Sequence, residues 1–150
     1  MMGKRTRPLW AALLIVYVLG MVWLMILDRP PMAVPGINLV PFRTVKEFAE
    51  LLRDGGQYYL RRIAVVNLLG NVGMFLPLGF LPAMVFPRLR HWGRILITAA
   101  VVIILAETVQ YVTLRGSADI DDLILNLIGT AVGFGIFQIL EKIYNKRHPG

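Results

Sequence analysis

The sequence predicts an all-α integral membrane protein, a four-transmembrane-helix bundle with an amphipathic helix in the first extracytoplasmic loop. Hydrophobic residues make up 57% of the chain and the mean hydropathy is +0.64, which is more apolar than a soluble domain of this size. Four apolar runs are each long enough to cross, or nearly cross, a bilayer as a helix. The basic residues behind the net charge of +7 flank these runs, a pattern typical of membrane proteins.

The length of 150 residues predicts a single membrane domain, residues 1–150. The absence of cysteine excludes disulfides, thiolate zinc sites and cysteine nucleophiles. We expect no nucleic-acid partner, because the basic residues at the ends of apolar runs are suited to anionic headgroups of membrane lipids. We also expect no cofactor and no metal site, since the chain has no HExxH pair, P-loop or dinucleotide-binding glycine pattern.

The first predicted span is residues 9–27, a charge-free run that would form a helix about 28 Å long. It follows the basic residues Lys4, Arg5 and Arg7, so a signal peptide is the alternative. The apolar region of a signal peptide is usually shorter, about 7–15 residues, and no small-x-small cleavage site precedes Asp28. We therefore expect a retained transmembrane helix.

Residues 28–62 form the first predicted loop. Prolines and a glycine at its start exclude regular helix; they are Pro30, Pro31, Pro35 and Gly36. Residues 44–53 then predict an amphipathic helix in the membrane interface. Its apolar side is formed by Val45, Phe48, Leu51 and Leu52, and it ends at Asp54, Gly55 and Gly56.

The remaining spans are predicted at residues 63–86, 95–112 and 123–140. In the fourth span, Gly129 and Gly133 form a face of small residues that allows close helix packing in lipid. This face could contact the same bundle or another copy, so the sequence leaves the oligomeric state open.

The orientation in the membrane follows from the basic residues. With four spans, both termini and the linker 87–94 share one side, and they hold more Lys and Arg per residue than the other two loops. Basic loops stay in the cytoplasm. We expect a multi-pass protein of the cytoplasmic membrane with both termini cytoplasmic, although the long loop carries six basic residues of its own.

This orientation places the polar residues of spans two, three and four at one outer depth, which predicts a polar pocket open to the outer face. An ionisable group at mid-helix in a membrane costs about 2.5–3.5 kcal/mol, so Glu107 is the strongest candidate. Asparagines can instead bond neighbouring helices, and Asp121 and Asp122 can be helix-start residues. The candidate ligand-binding residues are Asn67, Asn71, Glu107, Gln110, Arg115, Asp119, Asp121, Asp122 and Asn126.

A nucleophilic triad is not available on the outer side. Ser117 is the only serine, and the two histidines, His91 and His148, are predicted on the cytoplasmic side. An enzyme would have to use carboxylates, with Glu107 as the candidate catalytic acid or base. The aspartates of the turn, Asp119, Asp121 and Asp122, would then be able to hold a divalent cation.

Three segments resemble motifs of the VanZ-like family. Residues 67–80, NLLGNVGMFLPLGF, are similar to its NxxGNxxxFxPxGF signature. Residues 107–129 resemble its second signature through Glu107, Gln110, Arg115, Asp119, Asp121, Asp122, Asn126 and Gly129. Residues 38–42, NLVPF, are similar to its first-loop motif. The resemblance implies a small bacterial membrane protein whose motifs cluster near the outer face; the namesake of the family is associated with low-level resistance to the glycopeptide teicoplanin.

Three functions remain open at this point. The protein could bind a lipophilic or lipid-linked envelope molecule, such as a glycopeptide or a lipid-linked cell-wall precursor, with its tail in an apolar groove beside span two. It could be a membrane enzyme that acts on a lipid-linked substrate through Glu107, with or without a divalent metal. It could also be an assembly subunit whose polar layer only packs helices. We favour binding, because the outer side offers no histidine-activated nucleophile.

Overall fold

The computed structural model describes residues 6–28, 30–34, 36–54 and 57–148. Several residues named above lie outside the described residues; they are Lys4, Arg5, Pro35, Gly55 and Gly56. Within the described part, the chain folds into five α-helices and two strands of two residues each. The fold is therefore nearly all α, as predicted.

The elements follow one another along the chain with short connections. Helix α1, Arg7–Val22, continues as a π-helical turn, Trp23–Leu27. Then come strand β1 Ile37–Asn38, helix α2 Arg43–Arg53, helix α3 Tyr58–Val85, a 3₁₀ turn Pro87–Leu89, helix α4 Trp92–Val112, strand β2 Ala118–Asp119 and helix α5 Ile120–Arg147. In the described residues, four helical segments are long and apolar enough to cross a membrane: Arg7–Leu27, α3, α4 and α5. These confirm the predicted four-helix bundle, and α2 confirms the predicted amphipathic helix.

All four long helices begin before their predicted spans, and α3 and α5 extend furthest beyond them. Helix α3 begins at Tyr58 and not at Ile63, and α5 continues past Leu140 to Arg147. The predicted limits marked the first charged residues, yet arginine and lysine are good helix formers. The helical hydrogen bonds therefore continue into the polar zone on either side of the apolar layer.

Helices α3 and α5 form the most extensive contact of the bundle. A Cβ atom on Gly129 would lie 2.2 Å from the carbonyl oxygen of Val72, and one on Gly133 would lie 1.9 Å from that of Leu76. No side chain fits at such distances, so the two backbones approach as closely as glycine allows. The predicted small-residue face therefore contacts α3 of its own chain.

The buried side chains form two clusters along the bundle. One cluster joins α1, its π-helical turn, α3 and α4; it contains Met21, Met25, Phe75, Leu78, Ala99 and Ile103. The other joins α3, α4 and α5 nearer the chain termini; it contains Ala83, Met84, Ile95, Phe134 and Phe137. Beyond the second cluster, Arg90 pairs with Glu141 and lies 5.3 Å from the ring centroid of Phe137.

The first loop is attached to the turn between α4 and α5. Strands β1 and β2 pair in parallel, with Ile37 opposite Ala118 and Asn38 opposite Asp119. We call the end of the bundle that carries residues 30–54 and the turn 113–119 the loop end. Because the first loop is fixed there, α2 lies against α3 and the start of α5.

Candidate functional site

The nine candidate residues belong to the half of the bundle next to the loop end, because they lie early in α3 or α5, late in α4, or in the turn between α4 and α5. Their hydrogen bonds divide them into separate groups. One group holds the first loop, a second holds the end of α1, and a third connects α3 to α5. Whether they bind a ligand stays a prediction.

Asp119 joins the start of α5 to the first loop. Its Oδ1 accepts hydrogen bonds from the backbone N–H of Asp121 at 2.8 Å and from Nδ2 of Asn38 at 2.9 Å. Its Oδ2 accepts a hydrogen bond from the hydroxyl of Thr44 at 2.7 Å. Both carboxylate oxygens are thus engaged within the chain, and one of them caps the N-terminus of α5.

Asp121 caps a different helix from the one that contains it. Its side chain is fully buried, and its two oxygens accept the backbone N–H groups of Phe42 and, at 3.1 Å, Val45. Phe42 has a left-handed backbone with φ of 63°, which turns its N–H toward α5 at the start of α2. The carboxylate therefore satisfies amides that α2 itself cannot pair and lies at the positive end of its dipole.

Gln110 and Arg115 hold the end of the first span. Gln110 is 2% exposed, and its Nε2 donates to the carbonyl oxygen of Met25 at 2.7 Å. Arg115 donates from one terminal nitrogen to the carbonyl oxygens of Ile26 at 2.9 Å and Leu27 at 3.1 Å. The last carbonyls of a helix have no partner within it and carry partial negative charge. An amide and a guanidinium are therefore suitable donors at this position.

Asn67, Asn71 and Asp122 form a row that connects α3 to α5. Nδ2 of Asn71 donates to Oδ1 of Asp122 and lies 3.5 Å from Oδ1 of Asn67. The aspartate fixes the orientation of the Asn71 amide, because a carboxylate accepts and only the NH₂ group of the amide donates.

The two asparagines line a cavity of about 770 Å³ between the end of α1 and the first half of α3. We call it the α1–α3 cavity. Its α3 residues are spaced by three and four positions and so share one helix face. The lining residues are Leu24, Tyr59, Arg62, Ile63, Val66, Asn67, Gly70, Asn71 and Met74. The wall thus combines a guanidinium and two amides with an apolar surface.

Sequence reasoning missed Arg62 and Tyr59 as lining residues of this cavity. Both fall within residues 28–62, the first predicted loop, and not in the second predicted span. The signal was present, because Tyr59 and Arg62 continue toward the N-terminus the same three- and four-residue spacing that relates Asn67 and Asn71 to Ile63.

Glu107 lines a second, smaller cavity of about 270 Å³. This Glu107 cavity lies between α4 and the β2 strand, and its surface is almost entirely apolar, with Leu39, Ile104 and Leu123 among its lining residues. The side chain of Glu107 is half-buried, and its Oε2 is buried. A carboxylate in such surroundings has little water to solvate it.

Of the residues predicted to share one polar pocket, Asn67 and Asn71 line the α1–α3 cavity, and Glu107 and Asp119 line the Glu107 cavity. Helix α5 makes more extensive contact with both α3 and α4 than these two helices make with each other. The asparagines of α3 and Glu107 of α4 therefore do not line a common cavity. The half of the bundle that holds these residues could be predicted from sequence, but the lateral order of the helices could not.

Asn126 lines neither of these cavities. It is 1% exposed, and its Oδ1 accepts no hydrogen bond from the residues that the structure describes. Within the same described residues, no three histidine, cysteine, aspartate or glutamate side chains are grouped so that they could hold a metal ion. The oxygens of Asp119 and Asp121 are instead directed at the first loop.

The chain was compared with known proteins. A family model described as VanZ/LLP1 matches residues 14–141. No curated protein and no solved structure matches the chain. The matched range begins inside α1 and ends inside α5, so it includes part or all of each of the four long apolar helices and every candidate residue.

Proposed function

The chain belongs to the VanZ/LLP1 family, and from this premise we propose that it binds a lipophilic or lipid-linked molecule of the bacterial cell envelope. It is a multi-pass protein of the cytoplasmic membrane in this proposal, with both termini inside. The loop end faces outward, so the binding site opens to the outer leaflet and to the space beyond it.

The α1–α3 cavity is the observation that carries the proposal. Guanidinium groups bind phosphates and carboxylates through charge-assisted hydrogen bonds, and Arg62 lies in the same wall as the amides of Asn67 and Asn71. Apolar residues such as Val66 and Met74 complete the wall. A molecule with an anionic head and a hydrocarbon tail matches both halves of this surface.

Two ligand classes fit this description. A lipid-linked cell-wall precursor has phosphates next to a hydrocarbon chain, and a glycopeptide such as teicoplanin has polar groups next to an acyl tail. If the protein bound either the glycopeptide or the precursor, fewer drug molecules would meet their target at the outer face. A contribution to glycopeptide resistance follows from the proposal.

The candidate residues then have two kinds of role. The head-group contacts are Asn67, Asn71 and Arg62, with Asp122 as the residue that orients Asn71. The residues that hold the walls of the site in place are Gln110, Arg115, Asp119 and Asp121. Asn126 lies deeper in α5, where its buried oxygen is an acceptor for a water molecule or a ligand donor.

Catalysis is a second candidate function because of the Glu107 cavity. A half-buried carboxylate in apolar surroundings is the environment in which proteins place acids and bases. In this version Glu107 would transfer a proton to or from a lipid-linked substrate that enters between α4 and the β2 strand. The enzyme hypothesis requires that the substrate is converted to a product, which distinguishes it from binding alone.

The proposal is tested by filling the α1–α3 cavity from within. Gly70 lines the cavity, and a Cβ atom built on it meets nothing within 4 Å, so Gly70→Phe starts its side chain in open space and directs a ring into the cavity. Binding of teicoplanin and of undecaprenyl phosphate to the purified protein in nanodiscs should weaken by about tenfold or more, which is about 1.4 kcal/mol.

Gly73→Phe is the matched control. Gly73 also has open space around its Cβ position and lies on the same helix, but it does not line the cavity, so binding should be unchanged. Equal binding by both variants would contradict the cavity as the site. A product that disappears in Glu107→Gln would favour the enzyme, and the absence of any binding would leave an assembly subunit.

A further inference from the structure

A second, fully apolar groove lies farther along α1 and α3, toward the chain termini. It has a volume of about 600 Å³ and is formed by α1, α3 and α5. Its walls include Trp10, Leu13 and Tyr17 of α1 and Pro77 and Leu81 of α3. All of these belong to helices long enough to cross the membrane, so the medium around the groove is lipid and its occupant must be apolar.

The groove and the α1–α3 cavity follow one another along the same two helices and share no lining residue. On α1, Leu24 lines the cavity, while Tyr17 and Leu13 line the groove; their spacing of seven and four residues puts them on one helix face. On α3, Met74 lines the cavity and Pro77 the groove, one turn apart. The hydroxyl of Tyr17 donates to the carbonyl oxygen of Met74 at 2.8 Å, at the boundary between the two.

The combined length exceeds one leaflet. From Asn67, at the polar part of the cavity, to Leu81, in the groove, the chain rises about 21 Å along α3 at 1.5 Å per residue. Half of the hydrocarbon core is only about 15 Å thick. A tail that follows this path therefore passes the bilayer midplane, where the acyl chains of ordinary phospholipids end.

We propose that the cavity and the groove together bind a lipid phosphate with one long hydrocarbon chain. The phosphate lies against the guanidinium of Arg62 and the amide NH₂ of Asn67, which Asn71 holds in place, and the chain passes Tyr17 into the groove. This inference rests on the proposed function and names its substrate class. It predicts selection by chain length, which the head-group cavity alone does not provide.

The test compares two prenyl phosphates that share a head group. Undecaprenyl phosphate can reach the groove, and farnesyl phosphate is too short to fill it. In nanodiscs, the wild-type protein should bind the long lipid about tenfold or more tightly than the short one. Val16→Trp should remove this preference, because Val16 lines the groove and is 67% exposed, so a larger ring is accommodated there.

Ile15→Trp is the matched control, since Ile15 is 60% exposed on the same helix but does not line the groove. It should keep the preference. Equal binding of both prenyl phosphates, with Gly70→Phe still weakening both, would overturn the long-chain inference and leave the head-group site intact. Binding of neither lipid would overturn the inference, and if teicoplanin did not bind either, the proposed function would be overturned as well.

Other occupants give different results. Phosphatidylglycerol that competes as well as undecaprenyl phosphate would show an ordinary lipid site and overturn the inference. A second copy of the chain in the groove would appear as an oligomer that Val16→Trp dissociates, and this outcome would also overturn it.

Discussion

Asp121 holds together two parts of the chain that are far apart in sequence. Its carboxylate accepts the N–H groups of Phe42 and Val45, which are 79 and 76 residues away. Its side chain is fully buried, and both hydrogen bonds are partly shielded from water. The residue thus makes the start of α2 depend on the start of α5.

Replacement of Asp121 should destabilise the loop end. In Asp121→Ala two partly buried N–H groups lose their acceptor, and a buried donor left unsatisfied costs about 1–3 kcal/mol. We expect the free energy of unfolding to fall by about 2 kcal/mol or more, and the amides of Phe42 and Val45 to lose protection from hydrogen exchange. Asp121→Asn, which keeps one carbonyl oxygen, should have a smaller effect.

Glu47→Ala is the control for this prediction. Glu47 is in the same helix α2 and makes an exposed ion pair with Arg43, and exposed pairs contribute about 0–1 kcal/mol. Its replacement should leave exchange at Phe42 and Val45 unchanged. If Asp121→Ala behaved like Glu47→Ala, the buried cap would not hold the loop.

The aspartates could be identified from sequence, but their partners could not. Acids beside an apolar run are conspicuous, so Asp119 and Asp121 were predicted as candidates. Nothing in the periodicity of the chain relates them to Asn38 or Phe42, because those contacts bridge a loop, two spans and a turn. The only signal was the motif at residues 38–42. It marked this part of the first loop as similar to a family motif, but it did not indicate contact with Asp119 or Asp121.

At the scale of helices, the pairing of α3 with α5 depends on glycine. Gly133→Ala places a Cβ atom 1.9 Å from the backbone oxygen of Leu76, and a backbone atom cannot move aside as a flexible side chain can. Overpacking of this kind costs about 1–3 kcal/mol. We expect a loss of that size in unfolding experiments in detergent or lipid.

Gly135→Ala provides the comparison in the same helix. Its Cβ would meet only the Trp92 ring at 3.9 Å, an ordinary contact, and alanine favours helix over glycine by about 1 kcal/mol. This variant should be as stable as the wild type or more so. Equal losses in both variants would show that the effect comes from the helix and not from the α3–α5 contact.

The four spans could be predicted because the length of an apolar run is enough to indicate a membrane-spanning helix. The glycine face at Gly129 and Gly133 also predicted close packing correctly, but not its partner. The partner is α3, where the carbonyl groups of Val72 and Leu76 face the glycines. Any of the other spans, or another copy, would have satisfied the sequence pattern equally well.

At the scale of the whole molecule, the proposed orientation can be measured by labelling single cysteines. The chain contains no cysteine, so each introduced thiol reports alone. A membrane-impermeant maleimide should label Glu47→Cys in intact spheroplasts and Lys146→Cys only after permeabilisation, because α2 is at the loop end and Lys146 is near the C-terminus. The reverse pattern would place the α1–α3 cavity on the cytoplasmic side and contradict the proposed ligand access.

The bonds between the first loop and the α4–α5 turn also set an order for biogenesis. A chain is synthesised from its N-terminus, so Asn38 emerges 81 residues before Asp119, its partner. The donors of the first loop therefore have no carboxylate acceptors until Asp119 and Asp121 have been synthesised, at the start of the last span. A nascent or truncated chain that ends before α5 therefore lacks the Asp121 carboxylate, which accepts the N–H groups of Phe42 and Val45.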